Sequence, residues 1–212
     1  MLKILGVIGG VVVIAIGIVL VVATTRPDTF HVERSAAIKA PPERVFAIIN
    51  DFRHWPSWSP WQKHDPEMKQ TVSGPASGKG AVSQWEGNSK VGAGHIEIVD
   101  AIPPSRITMK LDMVRPMEAH HIVEYTLKPE GNTTMVKWAM HGSQPFLVKI
   151  MSVFIDCDKM VGGQFEKGLA SIKSIVEAAP RQSTATTPPN STPTPINALN
   201  LNGLRDFPSA SS

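Results

Sequence analysis

The sequence predicts an α+β domain in which one long C-terminal helix covers a curved antiparallel sheet, preceded by an apolar helix able to cross a membrane. Three observations predict it. Between residues 69 and 142, six stretches rich in β-formers follow one another, separated by Gly, Pro or Asn at short intervals, and short connections imply antiparallel neighbours. Residues 146–178 contain no proline and repeat apolar side chains at helical spacing. Residues 4–23 carry no charge at all.

That first stretch, ILGVIGGVVVIAIGIVLVVA, is long enough at a rise of about 1.5 Å per residue to cross about 30 Å of hydrocarbon. The competing reading is a cleavable signal peptide, with Val21 and Ala23 available to a signal peptidase, but such peptides have an apolar region of only about 7 to 15 residues. Lys3 on one side and Arg26, Arg34 and Lys39 on the other leave the orientation undecided. Gly6 and Gly10, with Gly17 a heptad later, either permit close helix pairing or reflect the ordinary abundance of glycine in such spans.

FHVERSAAI then alternates apolar and polar side chains, the period of a half-buried strand. Pro41 and Pro42 suit a helix's first turn, and Val45, Phe46, Ile48 and Ile49 give the helix an apolar face ending near Asn50. HWPSWSPW follows, with Trp55, Trp58 and Trp61 spaced by three. These rings either gate a cavity mouth or touch the membrane interface, or plug the core beneath the two short helices expected after the first strand.

The strand candidates are MKQTVSG, AVSQWEG, HIEIVDAI, RITMKLDM, HHIVEYTLKP and TTMVKWAMHG. One face gathers Ile96, Ile98, Ile107, Met109, Leu111, Val123, Tyr125, Leu127, Val136, Trp138 and Met140, and the other carries charged and polar residues. Such a sheet needs a cover, which the helix over residues 146–178 supplies through Phe165, Leu169, Ile172 and Val176. Gly162 and Gly163 are where that helix is expected to kink or thin. Residues 180–212, rich in Pro, Ser, Thr and Asn, bury too little to fold and read as a disordered tail. The expected organisation is an anchor over residues 1–26, a domain over 27–179 and the tail over 180–212.

Composition narrows the function. A net charge of +3 without a basic stripe excludes an obvious nucleic-acid surface. The lone Cys157, between Asp156 and Asp158, excludes an internal disulfide and a cysteine zinc cluster and reads as structural or incidental. G-x-S-x-G, H-E-x-x-H, Walker and G-x-G-x-x-G motifs are absent, and GPASGKGA reads as a hairpin turn.

The stretches IKAPPERVFAIINDFRHWPSWSPW, DPEMKQTVSGPASGKGAVSQWEGN, VGAGHIEIVDAIPPSRITMKLDM and DKMVGGQFEKGLASIKSIVE resemble, in content and order, the bacterial SRPBCC proteins. This is the START-like helix-grip superfamily, with its polyketide cyclase/dehydrase and lipid-transport group. The resemblance spans residues 30–177 and implies a helix-grip fold with a deep apolar cavity between sheet and C-terminal helix. Periodicity alone is equally compatible with a solid core.

In that cavity the ligand contacts fall to Trp85, Ile98, Met109, Leu111, His121, Val123, Tyr125, Trp138 and Met140 of the sheet and Met160, Phe165 and Leu169 of the helix. His120 and His121, adjacent on a strand, face opposite ways and cannot chelate one ion, so neither a metal nor a cofactor is expected. His121 is either a polar group for a ligand or a core histidine satisfied by a backbone carbonyl.

The function expected is membrane-tethered binding or transfer of a hydrophobic small molecule, at a bacterial cytoplasmic membrane with the side of the soluble domain undecided. One alternative is a cyclase or dehydratase using His121, Tyr125 or Glu118. Another is a non-catalytic accessory protein that meets a protein partner through the tail.

Overall fold

The computed structural model describes residues 2–154 and 156–178, so the expected tail over 180–212 lies outside the described residues. Helix α1 (Leu2–Thr24) is uncharged after Lys3, and Gly6–Thr24 is long and apolar enough to cross a membrane, a test that a signal sequence also passes. A Cβ placed at Gly6, Gly10 or Gly17 would meet nothing within 4 Å. Only the last turn of α1 is covered, with Ala23 fully buried.

Strand β1 (Thr29–Ile38) leads into α2 (Pro42–Ile49), where Pro42 occupies the first turn as its fixed φ favours. A 3-10 turn (Phe52–His54) follows, capped by the Asp51 side chain, which accepts from the Arg53 amide at 2.9 Å. Two very short helices, α3 (Trp55–Trp58) and α4 (Pro60–His64), bring the chain to the sheet. Its strands are β2 (Lys69–Ser73), β3 (Val82–Glu86), β4 (Ala93–Ile102), β5 (Arg106–Arg115), β6 (Ala119–Glu130) and β7 (Thr133–Ser143).

All seven strands form one antiparallel sheet in the order β1-β7-β6-β5-β4-β3-β2. Register shifts in β4 at Ala93/Gly94 and Ile98/Asp100 bend it. On the inner face, Ile107 pairs with Tyr125 and Tyr125 with Trp138; in the next row Met109 pairs with Val123 and Val123 with Met140; in the next, Leu111 pairs with His121 and His121 with Gly142.

The segment over 146–178 is two helices, of which the second is the cover. α5 (Phe146–Met151) stops, and α6 (Cys157–Ala178) begins anew, which corrects the expected single helix over 146–178. The break has a local cause: Asp156 accepts from the Lys159 amide at 3.0 Å through its side chain, as an N-capping aspartate does. Gly162 and Gly163 do not kink α6, which runs through them unbroken. Gly162 instead makes room for Arg34 of β1, whose guanidinium occupies the space a Cβ would need and binds Asp158 (2.7 Å) and Glu166 (2.9 Å).

Leu169, Ile172 and Val176 of α6 close over Ile38, Val45, Ile49, Leu127 and Val136, forming a filled half of the core. Phe165, a turn and more nearer the start of α6, lies over a half that is hollow.

Candidate ligand-binding site

The hollow half is a cavity of about 240 Å³. That is room for about eight water-sized groups and is just below the usual range of about 300–1,000 Å³ for small-molecule sites. Its floor is the inner face of the sheet: Trp85, Ile96, Leu111, His121, Val123, Tyr125, Trp138 and Met140. Its roof is Val161 and Phe165 of α6. Trp55, Ser59, Trp61 and Gln62 of the short helices close one side, with Met68, Gln70, Ser83, Val91 and Met113 completing the wall.

Trp138 organises the aromatic part. Its indole stacks on Phe165 (centroids 4.2 Å, 10° between planes) and meets Tyr125 at 4.9 Å, Trp58 at 5.8 Å and Trp61 at 5.9 Å. α6 reaches this ring because residue 168 is glycine: a Cβ there would come within 2.6 Å of the indole. At Gly142 of β7 a Cβ would collide with His121 Nδ1 and the His120 carbonyl oxygen, so the missing side chain gives the imidazole its place. Phe30 packs on the same imidazole, 5.5 Å between centroids.

The polar atoms of the floor are few, and three lack partners. Tyr125 Oη, Trp138 Nε1 and His121 Nδ1 are buried and receive or donate no hydrogen bond within the protein. Gln70 and Ser83, by contrast, bond each other at 2.9 Å. Burial pushes the Tyr125 phenol well above its ordinary value, so it remains a donor. Burial lowers the His121 imidazole, and the charges of His120 and His141 lower it further, which favours the neutral ring.

Eight of the expected contacts are brought together here: Trp85, Leu111, His121, Val123, Tyr125, Trp138, Met140 and Phe165. Ile98, Met109 and Leu169 are elsewhere, fully enclosed in the core without touching the cavity, because only the first turns of α6 stand off the sheet. Met160 is also outside it, 57% exposed on the outer side of α6. Glu118 does not converge with His121; its side chain is 81% exposed and lies 3.6 Å from His120 on the opposite face.

His120 belongs to an outer cluster, in which it and Lys110 (3.1 Å) and His95 (3.1 Å) surround the buried Asp112. Burial works to raise the Asp112 carboxyl, but hydrogen bonds from His120 and Lys110 and the charges of Lys110 and His95 hold it below its ordinary value. Among the described residues, no group of three or more His, Cys, Asp or Glu side chains is arranged to hold a metal ion.

The tryptophan motif divides its labour. Trp58 plugs the core with 1% exposure, whereas Trp55 and Trp61 line the cavity. These two, with Ser59, Gln62, Met68, Gln70, Ser83, Val91, Ile96, Met113 and Val161, were not among the expected contacts. For the tryptophans the signal was the spacing of three.

A family model described as polyketide cyclase / dehydrase and lipid transport matches residues 29–177. Among solved structures, a protein from Chromobacterium violaceum is similar over 73% of this chain and 100% of its own, at a TM-score of 0.52 and 16% identity. A major latex-like protein from Panax ginseng is similar over 71% of this chain and 99% of its own, at 0.52 and 12%. The di-domain ARO/CYC protein BexL is matched over 75% of this chain but 53% of its own length, at 0.53 and 15%. At these identities the likeness is one of fold. No curated protein matches the chain.

Proposed function

The chain belongs to the polyketide cyclase / dehydrase and lipid transport family, and on that premise we propose that its cavity binds a small hydrophobic molecule carrying a hydrogen-bond acceptor, while α1 (within an anchor over residues 1–26) tethers the domain over 27–179 to a membrane. The observation that carries this reading is the set of unpartnered polar atoms on residues that line a mainly apolar chamber. An indole N–H can only donate, and the buried phenol remains protonated, so Trp138 and Tyr125 of the lining each carry a donor without a partner among the described residues. Leaving such groups unmade costs about 1–3 kcal/mol each, and a ligand oxygen recovers part of that. The chamber suits a compact ring system or a short acyl chain with a carbonyl or hydroxyl group.

The test compares two ligands that differ only in the acceptor, indanone and indane, titrated against tryptophan fluorescence. The ketone should bind more tightly by about 1 kcal/mol, roughly fivefold. Trp138→Phe keeps the stacked ring and should erase most of that difference. Equal affinities in the native protein would remove the reading.

A cyclase or dehydratase reading is supported by the neutral imidazole of His121 and the phenol of Tyr125 sharing one apolar chamber. Their Cα atoms are four residues apart on β6, about 13 Å at strand spacing. His121→Gln separates the readings, since a binding protein retains most affinity whereas a general acid or base is worth about a hundredfold or more in turnover.

A further inference from the structure

Outside α1, exposed large apolar side chains collect at one end of the domain. Val114 and Met117 flank the β5–β6 turn, Phe146, Leu147 and Met151 stand on α5, and Phe154 follows it, 73% exposed. Met160 in the first turns of α6 adds to them; Val72 and Ile102, nearer the opposite end, are the exceptions among the described residues. Single exposed apolar residues are ordinary, but a gathered set marks a contact surface.

The antiparallel topology fixes which end this is. β1 starts there, β7 and β5 finish there and β6 starts there, so it is the end from which α1 departs. Four residues, 25–28, join α1 to β1, a reach of at most about 18 Å over the five steps from Thr24 to Thr29. The junction is fastened as well: α1 touches α5, the Gln144 amide donates to the Asp28 carbonyl at 2.8 Å, and Lys149 of α5 pairs with the Asp28 carboxylate.

We propose that this end of the domain lies in the surface of the same bilayer that α1 enters, with α5 and Phe154 inserted among the lipid headgroups and acyl chains. The proposal rests on the tethered reading of α1 and adds an orientation to it. Its occupant is lipid because the patch is continuous with a helix of membrane-crossing length and is held within reach of that helix's end. The attraction is mainly apolar, since three cations nearby are already paired, Lys149 with Asp28, Arg115 with Glu86 at 3.0 Å and Lys159 with Asp156 at 3.3 Å, although Arg26 in the join to α1 forms no ion pair among the described residues. Segments of this kind settle about 5–10 Å into the headgroup and acyl boundary. The cavity extends toward this end, reaching Met113, Val91 and His121, so a ligand would pass between lipid and chamber over a short path.

The full-length protein, with Cys157→Ser to clear the native thiol, is labelled with a polarity-sensitive fluorophore at single cysteines: Val12→Cys, Phe154→Cys, Met117→Cys and Ile102→Cys. Each is reconstituted in phosphatidylcholine vesicles containing nitroxide-labelled lipid, at low and high salt. The proposal expects Val12 to be quenched by nitroxides deep in the chains, Phe154 and Met117 by shallow ones severalfold more than Ile102, and no loss of that quenching in high salt. Quenching at Val12 with Phe154 no more quenched than Ile102 overturns the proposal and leaves the tether standing. A blue-shifted but unquenched Phe154 label means that protein rather than lipid covers the patch, which also overturns it. Loss of quenching at Val12 removes the tether and the proposal together.

Discussion

His121 has a side chain whose charge state the fold controls. Burial, and then the charges of His120 and His141, lower its pKa below the ordinary value near 6.5. The sign follows from proton counting: as pH falls through 6.5, the unfolded chain binds a proton at this position that the folded chain still refuses. Stability contributed by the neutral ring is therefore complete above that value and declines as pH falls towards the lowered one. Urea unfolding of the detergent-solubilised protein between about pH 7.5 and 5.5 should show this loss, and His121→Gln should flatten it. Identical slopes in the two proteins would mean that the imidazole is hydrated and titrates freely. The carboxylates Asp51 and Asp112 are also lowered, so their contribution is lost only on further acidification, below the ordinary range of an aspartate.

At the scale of elements, α6 decides how much of the core is closed. Gly168 lets the helix rest on the Trp138 ring, so Gly168→Ala should push the two apart, destabilising the domain by about 1–3 kcal/mol and changing the tryptophan emission. Unaltered emission and melting temperature would show that the contact is looser than the geometry requires. Leu169→Asp places a carboxylate in the fully enclosed half of the core and should cost about 4 kcal/mol or more. An unchanged melting temperature would put Leu169 on the wrong face.

The same helix shows what could and could not be read from sequence. The alternating strands and the Phe165, Leu169, Ile172 and Val176 stripe were legible because periodicity reports a face. It does not report depth. Met109 and Leu111 share a face of β5, yet only Leu111 borders the cavity, a distinction made by where α6 crosses and where α3 and α4 come in. Those short helices are poorly marked in the sequence for a related reason: elements of three to five residues make little more than one turn, so no period repeats within them. The break between α5 and α6 is written in the chain as an aspartate at position 156 ahead of an apolar stripe, a weaker signal than a proline, of which residues 146–178 have none.

For the molecule as a whole, the decisive measurement is where it fractionates. With about 20 apolar residues in the bilayer, the protein should sediment with membranes, resist high salt and come away only in detergent. Deleting residues 1–25 should release a folded soluble domain, because the core of the remaining chain draws nothing from α1 beyond the burial of its last turn. Recovery of a soluble chain lacking residues 1–23 would identify α1 as a cleaved signal sequence.

The four-residue join between α1 and β1 sets a limit on the kind of traffic such a protein can run. A carrier that ferries cargo across an aqueous gap must leave one membrane to reach the next, and a domain leashed within about 18 Å of its anchor cannot make that journey. With α1 embedded, its search is two-dimensional, over the leaflet it stands on, and its encounters depend on lateral diffusion rather than on concentration in bulk solution. Under the tethered reading proposed above, delivery would fall to whatever drifts alongside in the same plane, and the domain would extract a molecule from lipid, keep it dry and surrender it to a neighbour.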